Sequence, residues 1–209
     1  MTRLKGGAWL LYEGKGDAVG EESWEVAHGR DLSTWRSTAR RAKPFPHETR
    51  VTLTLGADGA WRALAFEVEA DGRRVRAWEG RPGATAAAPW RVHVTDREGE
   101  SRVALDLAGA ELDGPTPLLA GATLRRLGLA PGEERAVETV VLAPVTLEPA
   151  RVARHWSNLG PAAIDAPTGR LKATRWRLRE GNAPPRDVLV DADGNVLRIE
   201  GAAEIAGLA

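Results

Sequence analysis

Four histidines and scattered carboxylates are the side chains of this sequence that could do acid–base or metal chemistry. The histidines are His28, His47, His93 and His155. None stands at the short spacing from a second histidine, or from a pair of carboxylates, that marks a metal site. His93 alternates with Val92 and Val94, which predicts that its ring faces solvent or lines a cavity. We therefore predict no metal site and mainly structural histidines, and keep His93 and His155 as candidate ligand contacts.

Motifs of the known catalytic classes are missing from the sequence. The chain has no cysteine, which excludes disulfides, thiolate ligands and cysteine nucleophiles. It has no G-x-S-x-G elbow, no phosphate-binding loop and no dinucleotide fingerprint. Carboxylate pairs such as Glu133-Glu134 fall near turns, where acidic side chains commonly bond to the backbone. We predict no catalytic residues and no cofactor; a histidine and a carboxylate that meet only in space are the open alternative.

Tryptophan is the preferred aromatic residue, with eight Trp against two Phe and one Tyr. Indole joins a large apolar face to one hydrogen-bond donor, which suits core corners and also sugar or lipid contacts. By strand alternation, Trp61 and Trp78 point away from the faces that carry Leu64 and Val75. A sheet that buries one face and encloses a ligand with the other needs apolar residues on both. We predict that Trp61, Trp78 and Trp176 contact a ligand; plugging the ends of a closed barrel explains them equally well.

Composition and charge narrow the classes of partner. Of 209 residues, 43% are apolar and 28% charged, with 29 basic and 29 acidic side chains interleaved along the chain, so no whole-chain field would attract nucleic acid or an anionic membrane. The apolar stretch 8–12 is too short for a signal-peptide core, and no segment approaches the ~20 apolar residues of a membrane span. We expect a soluble, cytoplasmic protein without a membrane span. The Arg, Ala, Gly and Pro bias is typical of a GC-rich bacterial genome.

Short strands must position these side chains. Apolar residues recur with period 2 in runs separated by tight-turn signals such as Asp58-Gly59, Asp71-Gly72 and Asp193-Gly194. One buried and one solvated face is typical of antiparallel sheet. The predicted strands are 51–55, 61–69, 75–78, 90–94, 103–107, 137–142, 171–178, 188–190 and 196–199.

Two segments break this alternation. The segment 117–127 has apolar residues at roughly helical spacing, followed by Gly128 and Pro131, and predicts a short helix or an irregular linker. In the second, Val152, Trp156 and Leu159 share one face of a two-turn helix. No stretch resembles an interdomain linker, so we predict a single domain over residues 1–209.

The most distinctive sequence segment is residues 112–149, LDGPTPLLAGATLRRLGLAPGEERAVETVVLAPVTLEP. It combines an aspartate at a strand end, a Thr-Pro segment, an L-x-x-R-R-L element, a glycine turn and a strand ending at proline. Those places are taken by Asp113, Thr116, Pro117, Leu124, Arg125, Arg126, Leu127, Gly132 and Pro144. The pattern resembles the glycolipid-binding family that adopts a spiral β-roll. The run 169–197 resembles that family's closing hairpin and the last strands of barrel-like lipid carriers.

The resemblance implies both a fold and a ligand. A spiral or barrel-like roll pairs its strand edges and leaves an interior that side chains fill or a ligand occupies. Arg125 and Arg126, after the Thr-Pro break, would reach an anionic head group at the mouth. The alternative is that they cover the end of the sheet and pair with Glu133 or Glu134.

These observations predict a mostly β, antiparallel fold: a single curved sheet forming a spiral β-roll or open barrel, with at most one or two short helices. The predicted function is a non-catalytic binding module for an amphipathic ligand, a glycolipid or a fatty acyl chain. Its predicted contacts are Trp61, Trp78, His93, Arg125, Arg126, His155 and Trp176. One alternative is a small hydrolase or isomerase using His155 or His93 with a carboxylate. Another is a structural protein that forms a homodimer through its sheet edges.

Overall fold

The computed structural model describes residues 3–14, 16–84, 88–107 and 109–208, which form fifteen strands and one helix. The strands of the first half are β1 (Arg3–Tyr12), β2 (Ala18–His28), β3 (Leu32–Arg41), β4 (His47–Gly56), β5 (Trp61–Ala70), β6 (Arg73–Arg81), β7 (Trp90–Asp96) and β8 (Gly99–Leu105). The second half contains β9 (Ala110–Asp113), α1 (Pro117–Leu127), β10 (Glu134–Leu142), β11 (Pro149–Ala166), β12 (Gly169–Glu180), β13 (Arg186–Val190), β14 (Val196–Ile199) and β15 (Ala203–Leu208).

All fifteen strands belong to one sheet, in the order β8-β7-β6-β5-β4-β3-β2-β1-β15-β14-β13-β12-β11-β10-β9. Two antiparallel meanders, β1–β8 and β10–β15, join where the first strand pairs with the last. Strand β9 adds to β10 in parallel, and α1 is the crossover between them. In the described part of the chain the outer strands β8 and β9 do not pair with each other. The predicted single curved antiparallel sheet is therefore confirmed, in its open form.

Tight turns set the register of the meanders. Asp71 and Gly72 both have positive φ, 51° and 66°, as a type I′ hairpin between β5 and β6 requires. The predicted hairpins at Asp58-Gly59 and Asp193-Gly194 join β4 to β5 and β13 to β14. All three Asp-Gly turns therefore lie where the sequence predicted them.

The helix predicted around Trp156 is wrong. Residues 152–159 lie inside β11, an 18-residue strand. Its inward positions include Arg154, Trp156 and Asn158, all buried. Because two of these three are polar, the period-2 alternation that would have indicated a strand is hidden.

The predicted facing of Trp61 and Trp78 is also wrong. A register shift near the start of β5 and another near its end each add one residue to a strand. A β-bulge of this kind turns the following side chains to the other face. Both indoles consequently lie on the buried face, Trp61 against Trp90 and Trp78 against Phe66, with ring centroids 6.5 and 6.1 Å apart. Large apolar residues are thus concentrated on one face of the sheet.

Helix α1 occupies the concave side of the sheet. Thr116 caps its start, with its hydroxyl accepting from the Leu118 N–H, Pro117 occupies its first turn, and Gly128 ends it with a φ of 55°. Nine of its eleven residues are buried. Its backbone approaches the β13–β14 turn so closely that a Cβ on Gly121 would lie 2.6 Å from the Gly194 carbonyl oxygen. The helix therefore fills much of the interior.

Candidate functional site

A cavity of about 200 Å³ lies at the N-terminal end of α1. Its buried wall is apolar and comes from strands of both halves and from the helix: Leu11, Ala120, Trp156, Leu178, Val188 and Ala203. Half-buried polar side chains lie nearer to solvent: Tyr12, Arg41, Asp113 and Arg186. An apolar wall with a few convergent polar groups is the usual composition of a small-molecule site.

A buried carboxyl clamps the segment that begins α1. Glu22 on β2 is fully buried, and its Oε1 accepts a hydrogen bond of 2.5 Å from the Thr116 hydroxyl. Burial raises the pKa of Glu22 from its usual 4.5 to about 7, although the Thr116 and Ser37 hydroxyls and the Arg41 charge oppose the shift. The second oxygen, Oε2, meets no donor in hydrogen-bond geometry. The carboxyl is thus a largely desolvated acid beneath the segment that begins α1.

Arg41 holds the same segment from β3. Its Nη2 donates to the Pro115 carbonyl oxygen over 2.5 Å, while its Nε is buried without a hydrogen-bond partner. Burial lowers the pKa of Arg41, and the nearby Glu22 charge opposes that change. Glu22 and Arg41 therefore tether two consecutive residues, Thr116 and Pro115, just before the helix.

The aspartate on the cavity wall is already neutralised. Asp113 pairs with the guanidinium of Arg154 and also accepts from the Gly114 N–H at 2.8 Å. Arg154, only 6% exposed, donates from Nε to Glu180 at 2.7 Å. Burial alone would lower the pKa of Arg154, but its two ion pairs outweigh burial and raise it. Each charged group of this triad therefore has a partner within the protein, and the two carboxylates and one guanidinium leave it with a formal charge of −1.

Two of the predicted contacts, Arg125 and Arg126, lie at the other end of α1, away from the cavity. The Arg125 guanidinium stacks over Trp35, 5.1 Å from the ring centroid. Arg126 donates from Nε to both oxygens of Glu111 at 3.1 and 3.0 Å, and so pairs with this residue rather than with Glu133 or Glu134. Both guanidinium groups have partners within the protein, and a ligand contact for either stays a prediction.

The predicted tryptophan contacts are core residues in this structure. Trp61, Trp78 and Trp176 are 7%, 3% and 5% exposed. None of the three lines the cavity, whereas Trp156, which we did not predict, forms part of its wall.

The two predicted histidines lie next to carboxylates. His93 is on the outer face, with its Nε2 3.4 Å from Glu100. The Nε2 of His155 is 3.3 Å from Glu134, the carboxylate to which the Ser157 hydroxyl donates at 3.4 Å. The carboxylate thus stands between serine and histidine, whereas activation of a serine requires the histidine to contact the hydroxyl directly. This geometry does not favour the hydrolase alternative at His155.

Neither Arg41 and Arg186, which line the cavity, nor Glu22, which holds the segment beside it, was predicted. One signal in the sequence could have revealed Glu22. In the segment 20–26, GEESWEV, a strand that buries Trp24 and Val26 must also point Glu22 inward. The family resemblance did contribute to the site, because Asp113, Thr116 and Pro117 all line the cavity.

Two solved structures are similar to this chain. A DUF1089 family protein from Pseudomonas aeruginosa superposes with a TM-score of 0.62 at 21% identity, covering 88% of this chain and 91% of that one. A β-barrel-like protein of the domain of unknown function DUF1849, from Brucella abortus, gives 0.55 at 11% identity, over 99% of this chain and 96% of that one. The sequence matches no protein-family model and no curated protein. At these identities the likeness shows a shared β-barrel-like fold and nothing about a ligand.

Among the described residues, no group of three or more histidine, cysteine or acidic side chains is arranged to hold a metal ion. No helix in the same residues is long and apolar enough to cross a membrane.

Proposed function

We propose that this protein is a non-catalytic binding module that takes part of an amphipathic ligand, such as a glycolipid or a fatty acyl chain, into the cavity at the start of α1. The observation that carries the proposal is the composition of this cavity. Apolar side chains from the helix and from both halves of the sheet form its wall, and half-buried polar side chains lie nearer to solvent. Such a gradient matches a molecule with one apolar and one polar end.

The volume of the cavity limits what can enter. A dry apolar cavity of about 150 Å³ holds benzene. The cavity here, about 200 Å³, therefore has room for one ring or a short acyl segment. Because α1 fills much of the remaining interior, the rest of a larger ligand would extend into solvent.

Filling the cavity tests the proposal. Ala120 lies on α1 and lines the cavity, so we expect Ala120→Leu to weaken the binding of octanoate and 1-octanol at least tenfold. Isothermal titration calorimetry measures both affinities, and the intrinsic tryptophan fluorescence, to which the cavity residue Trp156 contributes, gives a second readout. The matched control is Ala153→Leu, an exposed position on β11, which should leave both affinities unchanged. Absence of heat and of spectral change with both probes at millimolar concentration would contradict the proposal.

A further inference from the structure

The arginines around the cavity differ in how their charges are balanced. Arg154 pairs with Asp113 and Glu180. By contrast, Arg41 and Arg186 have no carboxylate within 4.0 Å among the residues that the structure describes. A cation that is partly removed from water without a carboxylate in direct contact is costly, and a bound anion relieves that cost.

Unused hydrogen-bond donors accompany this charge. The Nε of Arg41 is buried and donates to no acceptor. The indole N–H of Trp156, a cavity residue only 2% exposed, likewise has no partner. Buried donors are normally satisfied, so unsatisfied ones beside a cavity indicate where an acceptor of the ligand would sit. The N-terminal end of α1 opens on the same cavity and favours negative charge there.

The acidic groups nearby do not cancel this preference. The charge of Asp113 is taken up by Arg154 and by the Gly114 N–H. Glu22 does not line the cavity, and its raised pKa of about 7 leaves it largely protonated in mildly acidic solution. Of the charged residues that line the cavity, Arg41 and Arg186 are basic and Asp113 is acidic, so the lining has a formal charge of +1.

Building on the proposed function, we infer that the ligand carries an anionic head group, a carboxylate or a phosphate, which binds between Arg41 and Arg186 at the start of α1. Arginine suits this role because its planar donors pair with two oxygens of either anion. The apolar wall then accepts the carbon chain attached to the head group.

Three probes of equal chain length separate charge from hydrophobicity: octanoate, octyl phosphate and the neutral octanamide. We expect the two anions to bind at least tenfold more tightly than octanamide by calorimetry at low salt. Arg186→Met should abolish most of that difference, because it removes the charge and keeps an apolar stem. Arg179→Met, at an exposed position on β12, is the matched control and should change nothing.

Arg41→Met should have the same effect as Arg186→Met, but it also removes the bond to Pro115. Its thermal midpoint is therefore measured beside its affinity, and Arg186→Met carries the conclusion if Arg41→Met fails to fold. Equal affinity for all three probes, or a preference for anions that survives Arg186→Met, would overturn the inference and leave the proposed function standing. Failure of all three probes to bind would instead remove the site itself. The tighter of the two anions identifies the head group as a carboxylate or a phosphate.

Discussion

At the scale of single residues, the distinctive feature is an acid buried beside the helix it anchors. Glu22 accepts the hydroxyl of the residue that caps α1, yet it has no counter-ion within ion-pair distance in the part of the chain that the structure describes. Desolvation therefore dominates, and its pKa is raised from 4.5 to about 7. Between these two values the folded protein binds a proton that the unfolded chain releases. It follows that the free energy of unfolding falls as the pH rises from about 4.5 to about 7, and that this contribution is constant above that window.

This linkage gives a prediction for Glu22→Gln. One pKa unit corresponds to about 1.4 kcal/mol, so the shift amounts to about 3 kcal/mol at pH 8. Because the glutamine oxygen still accepts a hydrogen bond from the Thr116 hydroxyl, we expect the variant to be about 1–3 kcal/mol more stable than the wild type at pH 8. The gain is smaller than the full shift because burying the amide N–H₂ group has its own cost. At pH 4.5 the two proteins should be nearly equal. Urea unfolding at both pH values measures the difference.

Glu21→Gln is the control for this comparison. Glu21 is an exposed neighbour on the same strand, and its substitution should leave the pH dependence of stability unchanged. If Glu22→Gln and the wild type show the same pH dependence, Glu22 is not the titrating group.

The residues of the site show why sequence reasoning found the sheet more readily than the cavity. Apolar alternation predicted β4–β7 because their inward positions are mainly apolar, as at Val51, Leu53 and Leu55. In β2, β3 and β11 some inward positions are polar, and the same pattern is weakened. The cavity takes Arg41 from β3 and Trp156 from β11, so two of the strands whose alternation is interrupted also contribute to the site. The Thr-Pro segment was recognised, but its contacts with β2 and β3 depend on a tertiary arrangement that no local pattern records.

At the scale of elements, α1 decides how much of the interior is free. The ends of α1 could be predicted from the sequence, because a Thr-Pro start and a glycine stop are strong local signals. Its burial on nearly all sides is also suggested by an apolar run whose only charges are Arg125 and Arg126. Its position inside the curved sheet could not be predicted, because it depends on β9 pairing in parallel with β10.

The close approach of α1 to the β13–β14 turn gives a prediction for its glycine. Gly121→Ala would raise helix propensity by about 1 kcal/mol, but its Cβ would lie 2.6 Å from a backbone oxygen of the β13–β14 turn. Backbone cannot rotate away as a side chain can, so we expect a net loss of about 1–3 kcal/mol. Chemical denaturation measures it. Gly207→Ala, whose Cβ would meet nothing within 4 Å, should change stability far less. Stabilisation by Gly121→Ala would show that the helix can shift within the roll.

At the scale of the whole molecule, one seam holds the two meanders together. Strand β15 pairs with β1, and Ile205 lies opposite Trp9, an indole 1% exposed whose N–H donates 2.8 Å to the Val196 carbonyl oxygen. The helix reinforces the seam, because it contacts β14 on one side and reaches Glu22 on β2 on the other. The pairing of β15 with β1 and the bond from Thr116 to Glu22 both cross between the halves of the chain, so neither meander is expected to keep its buried face covered when it stands alone.

Cooperative unfolding of the entire chain, as a single domain, is the prediction that follows from this seam. Six of the eight tryptophans lie in the first meander, so near-UV circular dichroism reports mainly on that half, whereas far-UV dichroism reports on all strands. We expect the two melting curves to coincide. Ile205→Ala, at a position 3% exposed, should lower the free energy of unfolding by about 2–4 kcal/mol and move both curves equally. Leu10→Ala, at a 40% exposed position on β1, should cost less than about 0.5 kcal/mol. Two separate transitions, or a seam variant that moves only the far-UV curve, would mean that the meanders fold as independent units.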